Sequence, residues 1–227
     1  MSEWPPPKED ALVHAAVFDF DLTLADSTAG AVECVSYALL KMGLPPVDRA
    51  AICSTVGLSL PRIFQTLTGA SDPASMGEFS HWFVERADEV MADLTVMFPQ
   101  VPGTLAMLRR SGIRTAIVST KFRRRITGIL AREKLTDAFE LIVGGEDVAQ
   151  HKPDPEGLNR ALAGLKVTAT DSVYVGDHPV DAEAAQRAGV RFIAVLSGSS
   201  RVSDFAEHEA ARILSSLEEL PPVLDGM

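Results

Sequence analysis

From residue 99 onward the chain alternates helical patterns with short apolar runs: helix 104 to 111, strand 113 to 118, helix 122 to 131, strand 140 to 143, helix 155 to 164, strand 172 to 176, helix 180 to 188 and strand 190 to 196. Strands separated by helices cannot pair as hairpins. They lie parallel, and a parallel sheet buries both its faces under the connecting helices. The pattern therefore predicts an α/β fold. One more run of the same kind, Ala15-Ala16-Val17-Phe18, stands far upstream of the rest. Between it and residue 99 the sequence reads as helix. Val32, Val35, Leu39 and Met42 share one face after Ser27 and stop at Gly43, and 47 to 95 continues as helical stretches broken around Gly57, Gly69 to Pro73 and Gly77. The expected organisation is a tail at 1 to 12 stiffened by Pro5, Pro6 and Pro7, a core formed by 13 to 27 and 99 to 227, and an all-helical cap inserted at 28 to 98.

Charge narrows the partners. Across 227 residues the net charge is -10, so the average field repels nucleic acid and anionic lipid. The stretch 109 to 134 inverts that sign, with Arg123-Arg124-Arg125 against the single acid Glu133. Without a series of aromatic residues for base stacking it reads as a solvated helix face, or as a guide drawing an anion toward Lys121. Cys34 and Cys53 have neither disulfide-framework nor zinc spacing, which predicts two buried thiols in a reducing cytoplasm. No signal-like start and no run of about 18 apolar residues is present, so the expectation is a cytoplasmic protein with no membrane partner.

Open parallel sheets bind ligands beyond the carboxyl ends of their strands, so the residues just after each strand belong together. They are Asp19, Asp21 and Thr23; Ser119, Thr120 and Lys121; Lys152; and Gly176, Asp177 and Asp181. In Asp19-Phe20-Asp21 a period of two sends both acids to one side, where like charges need a cation. A hard divalent ion such as magnesium takes carboxylate oxygens, and Asp177 from another strand can join it, with water and a substrate phosphate completing the shell. Lys152, fixed ahead of the stiff Pro153-Asp154-Pro155, offsets part of the remaining negative charge. Ser119 offers a hydroxyl, and its loop amides suit phosphate oxygens. Alone, each piece has an ordinary reading as a turn or a helix cap. Their convergence on one sheet edge is what points to chemistry.

Four segments in order, Asp19-Phe20-Asp21-Leu22-Thr23, Val118-Ser119, Lys152-Pro153 and Gly176-Asp177-His178-Pro179-Val180-Asp181, resemble the motifs of the haloacid dehalogenase-like (HAD) hydrolases. With a helical insertion between the first and second motifs and Ala25-Asp26-Ser27 after the first, the chain is most similar to the phosphoglycolate phosphatase-like group. The resemblance implies a Rossmann-like core and a magnesium-dependent phosphatase acting on a small phosphorylated metabolite through a phosphoaspartyl intermediate. Position by position it implies that Asp19 is the nucleophile and Asp21 the general acid and base. Asp19, the main-chain carbonyl of Asp21 and Asp177 would hold magnesium, Ser119, Thr120 and Lys152 the phosphate, while Asp181 would orient Lys152 or a metal-bound water. Two positions depart from the family pattern. Leu22 stands where Gly is most frequent, and His178, where Ser is common, would contact the ligand or cap a helix. Arg62 and Lys121 are candidates for holding the part of the substrate that is not transferred. Rival readings are an inorganic pyrophosphatase or a sugar-phosphate mutase of the same family, or a receiver-like signalling domain. Dehalogenation is disfavoured, because Asp21 has no role in attack on carbon.

Overall fold

The structure is a computed structural model that describes residues 13–227. The expected tail at 1 to 12, with its prolines, lies outside the described residues. In chain order the elements begin with β1 (Ala15–Phe18), the two-residue strand β2 (Ala25–Asp26), helices α1 (Thr28–Lys41), α2 (Arg49–Cys53), α3 (Leu60–Thr68) and α4 (Pro73–Val90), and the short strand β3 (Val96–Met97). Then come α5 (Val101–Arg110), β4 (Arg114–Val118), α6 (Arg123–Arg132), β5 (Leu141–Val143), α7 (Glu156–Leu165), β6 (Ser172–Gly176), α8 (Pro179–Ala188), β7 (Arg191–Val195), β8 (Ala210–Leu214) and α9 (Leu220–Asp225).

The main sheet has six strands in the order β5-β4-β1-β6-β7-β8, every neighbouring pair parallel. Strand β1 is central, with Phe18 in register with Ile117 on one side and Val175 on the other. Alternation along β1 divides its side chains between two apolar layers. Ala16 and Phe18 pack with Val101, Leu105, Leu108 and Ile126, while Ala15 and Val17 pack with Leu158, Leu162 and Tyr174. The connections run from β1 outward through β4 to β5, then return to β6 and run outward the other way. The carboxyl end of β1 is thus the point where the winding reverses, the place where an open α/β sheet leaves a crevice.

Helices α1 to α4 form their own apolar cluster around Leu39, Phe64, Phe79 and Phe83. Two of the expected breaks can be compared with the structure. Gly69 ends α3 in a left-handed conformation, and Asp72, accepting a hydrogen bond from Ser75 N, starts α4 with Pro73 in its first turn. Gly77, however, does not break anything. Helix α4 runs through it, since a glycine costs a helix only about 1 kcal/mol and the burial of Phe79 and Phe83 on the same helix outweighs that. Nor is the insertion purely helical. Its outgoing residues Val96 and Met97 pair antiparallel with Asp26 and Ala25, so incoming and outgoing chains are tied as a two-stranded ribbon. The sequence pattern misses this ribbon, β8 and α9. Of the two thiols only Cys34 is buried. Cys53 is half-buried, because on the five-residue α2 the inward position is taken by Ile52.

Among the described residues no helix is long and apolar enough to cross a membrane.

Candidate active site

Asp19 prolongs the path of β1, its amide donating to Val175 O at 2.9 Å, and its side chain is fully buried. The Oδ2 atom lies 2.8 Å from Lys152 Nζ, which also donates to Asp181 Oδ1 at 2.5 Å. Tyr174 buttresses this lysine. Its hydroxyl accepts from Lys152 Nζ at 3.2 Å and stands 2.9 Å from Val118 O and 3.2 Å from Asp181 Oδ1. Asp177 accepts from Thr23 Oγ1 at 3.0 Å, and a Cβ on Gly198 would sit only 2.0 Å from Asp177 Oδ2, so that loop must carry glycine to pass so close.

Oxygens of Asp19, Asp177 and Asp181 lie within 4.8 Å of one another, and all three side chains are buried. One ammonium faces three carboxylates. Burial raises the Asp19 pKa to about 6 against the opposing pull of Lys152, and burial with the negative charges of Asp181 and Asp19 raises Asp177 well above the usual carboxylate range. Burial alone would push Lys152 down, but Asp181 and Asp19 outweigh it and hold the ammonium above its ordinary pKa. Asp19 Oδ1 is buried with no hydrogen-bond partner. A surplus of desolvated carboxylate with an unpartnered oxygen is a donor set that fits a hard divalent cation.

The turn after Asp19 depends on Leu22, whose φ of 59° is left-handed. A non-glycine residue there costs about 1 kcal/mol or more. It is held by its own buried side chain, by its amide on Ala25 O at 2.7 Å and by Ser197 Oγ donating to its carbonyl at 2.5 Å. The backbone shape usually given by Gly is thus kept without it. At the other strand end, Asp177 and Asp181 sit at the start of α8. The His178 amide donates to Asp181 Oδ2 at 3.2 Å, and Nδ1 of His178 accepts from Val180 N at 3.1 Å. Of the two readings of His178, the structure shows the helix cap.

Asp21 does not join the carboxylate cluster. The chain has left β1 and is turning, so its side chain faces Lys121 instead, 2.7 Å away, and the period-of-two expectation fails there. Both line a cavity of about 60 Å³ between the helical insertion and the core, whose opposite wall includes Val56, Leu60, Ile63 and Phe83. Three other expected residues are placed by the structure. Thr120, expected on phosphate, donates its hydroxyl to Gly57 O of the insertion at 3.1 Å. Ser119 Oγ accepts from the Lys121 amide at 3.3 Å, an orientation that leaves its own proton free for another acceptor. Arg62 is exposed beside the buried Ile63 and Phe64, and it is not among the residues lining the cavity. The basic stretch is largely paired with acids from elsewhere. Arg124 and Arg125 meet Asp88, Arg123 meets Asp147, and Arg114 meets Glu140.

The region 16–195 matches the family model described as haloacid dehalogenase-like hydrolase. A phosphoglycolate phosphatase of Pseudomonas fluorescens is 30% identical over 98% of this chain and 84% of its own length. The plasmid-borne phosphoglycolate phosphatase of Cupriavidus necator is 33% identical, covering 92% of each chain. Among solved structures, a Bacteroides fragilis protein described as haloacid dehalogenase-like superposes with a TM-score of 0.89 at 40% identity, over 91% of this chain and 99% of that one.

Proposed function

The chain belongs to the haloacid dehalogenase-like hydrolases, and on that premise we propose that it is a magnesium-dependent phosphatase of small phosphomonoesters such as phosphoglycolate, acting through a phosphoaspartyl intermediate. One observation carries the reading. Two carboxylates two residues apart occupy different settings: Asp19 is buried with an unpartnered oxygen beside Lys152, while Asp21 is turned away onto Lys121 in the lining of a cavity. Two acids in separate environments suit two roles, nucleophile and proton carrier.

Residues 28 to 98 act as a cap over the crevice, and Thr120 on Gly57 O is one of the contacts that closes it. The phosphoryl group enters between Asp19, Ser119 and Lys152, with Asp181 and Tyr174 fixing the ammonium. Asp19, the main-chain carbonyl of Asp21 and Asp177 would hold magnesium, which when bound would supply positive charge against the phosphoryl oxygens. The Asp19 carboxylate attacks phosphorus, the bond to the leaving oxygen breaks, and Asp21 gives that oxygen its proton. Asp21 then takes a proton from water as the water attacks phosphorus, which frees phosphate and restores Asp19. Family membership removes the receiver-like reading.

Two experiments test this. In a phosphate-release screen, compact phosphomonoesters are hydrolysed with magnesium and not in excess chelator. Full activity in chelator, or a strong preference for a folded phosphoprotein, would overturn the proposal. Asp21→Asn slows turnover by about 10²- to 10⁴-fold, the usual reach of general acid and base catalysis. A pH profile and kcat equal to the parent's would remove Asp21 from that role.

A further inference from the structure

We propose that Ser27 and Arg125 form the receptor for the leaving part of the substrate, and that this part carries a carboxylate. The inference rests on the phosphatase reading above. The cavity of about 60 Å³ borders Asp21, the residue that serves the leaving oxygen, so what occupies it is the non-transferred end.

Polarity identifies the kind of atom. The cap contributes an apolar wall from Val56, Leu60, Ile63 and Phe83, and the polar lining comes from Asp21, Ser27, Thr120, Lys121 and Arg125. Ser27 contributes a hydroxyl that is buried and has no hydrogen-bond partner. A buried polar group left alone costs about 1 to 3 kcal/mol, so this hydroxyl is suited to a ligand acceptor. Arg125 is only 8% exposed. Its Nε and Nη2 take Asp88 Oδ1 at 2.9 and 2.7 Å, Nη2 also reaches Val84 O at 3.2 Å, and among the described residues Nη1 makes no hydrogen bond. Asp88 is shared with Arg124, which holds both its oxygens at 2.7 and 2.8 Å. Lys121 and Asp21 neutralise one another, but two guanidinium groups on one carboxylate leave a positive charge beside the cavity. A carboxylate balances that charge and accepts from Ser27. Arg125, carried by the core yet bonded to the cap, also ties recognition of that carboxylate to the closed arrangement.

The experiment compares kcat/KM for phosphoglycolate and for ethyl phosphate, which has the same two carbons and no carboxylate. Wild type prefers phosphoglycolate. Arg125→Met lowers kcat/KM for phosphoglycolate by about 10- to 100-fold, mainly through KM, and for ethyl phosphate by less than about 3-fold, as expected for one charge-assisted hydrogen bond. Ser27→Ala, which removes one oxygen atom and so keeps the test open if Arg125→Met is unstable, shows the same selectivity with a smaller loss. Asp88→Asn leaves the preference for phosphoglycolate in place, since Arg125 remains. Equal losses on both substrates in Arg125→Met and Ser27→Ala would overturn the receptor, and so would a wild type that hydrolyses ethyl phosphate and other esters as well as phosphoglycolate. If the wild type releases phosphate from no ester, the phosphatase reading itself fails, and this inference with it.

Discussion

Asp19→Asn abolishes turnover, lowering kcat by at least about 10⁴-fold, because an amide nitrogen and oxygen cannot form the acyl phosphate that the proposed mechanism requires. Activity within tenfold of the parent would show that Asp19 is not the nucleophile. The same substitution should make the metal-free protein more stable at neutral pH. Burial, the largest influence, raises the Asp19 pKa to about 6 from an ordinary value of 3.8, with Lys152 pulling the other way. A carboxyl whose pKa is raised by folding favours the folded state below pH 3.8, and that contribution is lost as pH rises through about 6. Above that window the charged Asp19 costs the metal-free fold on the order of 3 kcal/mol. Thermal melts without metal should therefore place the variant above wild type at pH 7.5, with the gap closing at pH 4. A gap independent of pH would mean that the penalty is not the buried charge. Magnesium should raise the melting temperature of wild type more than that of the variant.

The parts of this arrangement that the sequence discloses are those governed by local periodicity. Alternating helices and strands from 104 to 196 are written in the apolar pattern, and the strand ends then bring Asp19, Lys152, Asp177 and Asp181 together by topology alone. The missed elements lack such a pattern. Strand β8 runs Ala-Ala-Arg-Ile-Leu at the sheet edge, where one side needs no apolar cover, and β2 and β3 are two residues each. Tyr174 was hidden for the opposite reason. Between Val173 and Val175 it reads as one more buried strand residue, and only the fold brings its hydroxyl to Lys152 and Asp181. Gly198, inside Ser-Gly-Ser-Ser, reads as an ordinary loop until Asp177 is seen packed against it. The direction of the Asp21 side chain is likewise a tertiary fact, set by a left-handed turn at Leu22 and by Lys121 waiting on another strand's loop. The placement of Arg62 is a fact of the same kind. Helical spacing cannot tell which face of α3 meets the core, and Ile63 and Phe64 take that face.

Lys152→Met should be the most destabilising of the single changes at the site. Methionine keeps the length of the side chain and its packing on Tyr174, so the variant isolates the charge. That charge touches Asp19 at 2.8 Å and Asp181 at 2.5 Å, and all three side chains are buried. Removing one partner of a buried pair leaves uncompensated charge and costs about 3 to 5 kcal/mol. The two carboxylates raise the Lys152 pKa despite its burial, so its contribution is fully present below the ordinary value of 10.5 and is lost only above it. The full loss is therefore expected at pH 7.5. At pH 5.5 it should shrink, because Asp19 and Asp177, already raised by burial, can take up protons in place of the missing ammonium. Urea unfolding of the metal-free variant and wild type at the two pH values measures this directly. A variant as stable as wild type at pH 7.5 would show that the carboxylates do not depend on Lys152. Turnover should fall by about 10²- to 10³-fold at either pH, the scale expected for removing one fixed donor from a transferring oxyanion. Asp181→Asn separates the two functions of the lysine. It leaves the ammonium on Asp19 and on the phosphoryl group but frees its orientation, so its cost should appear in kcat with little change in KM.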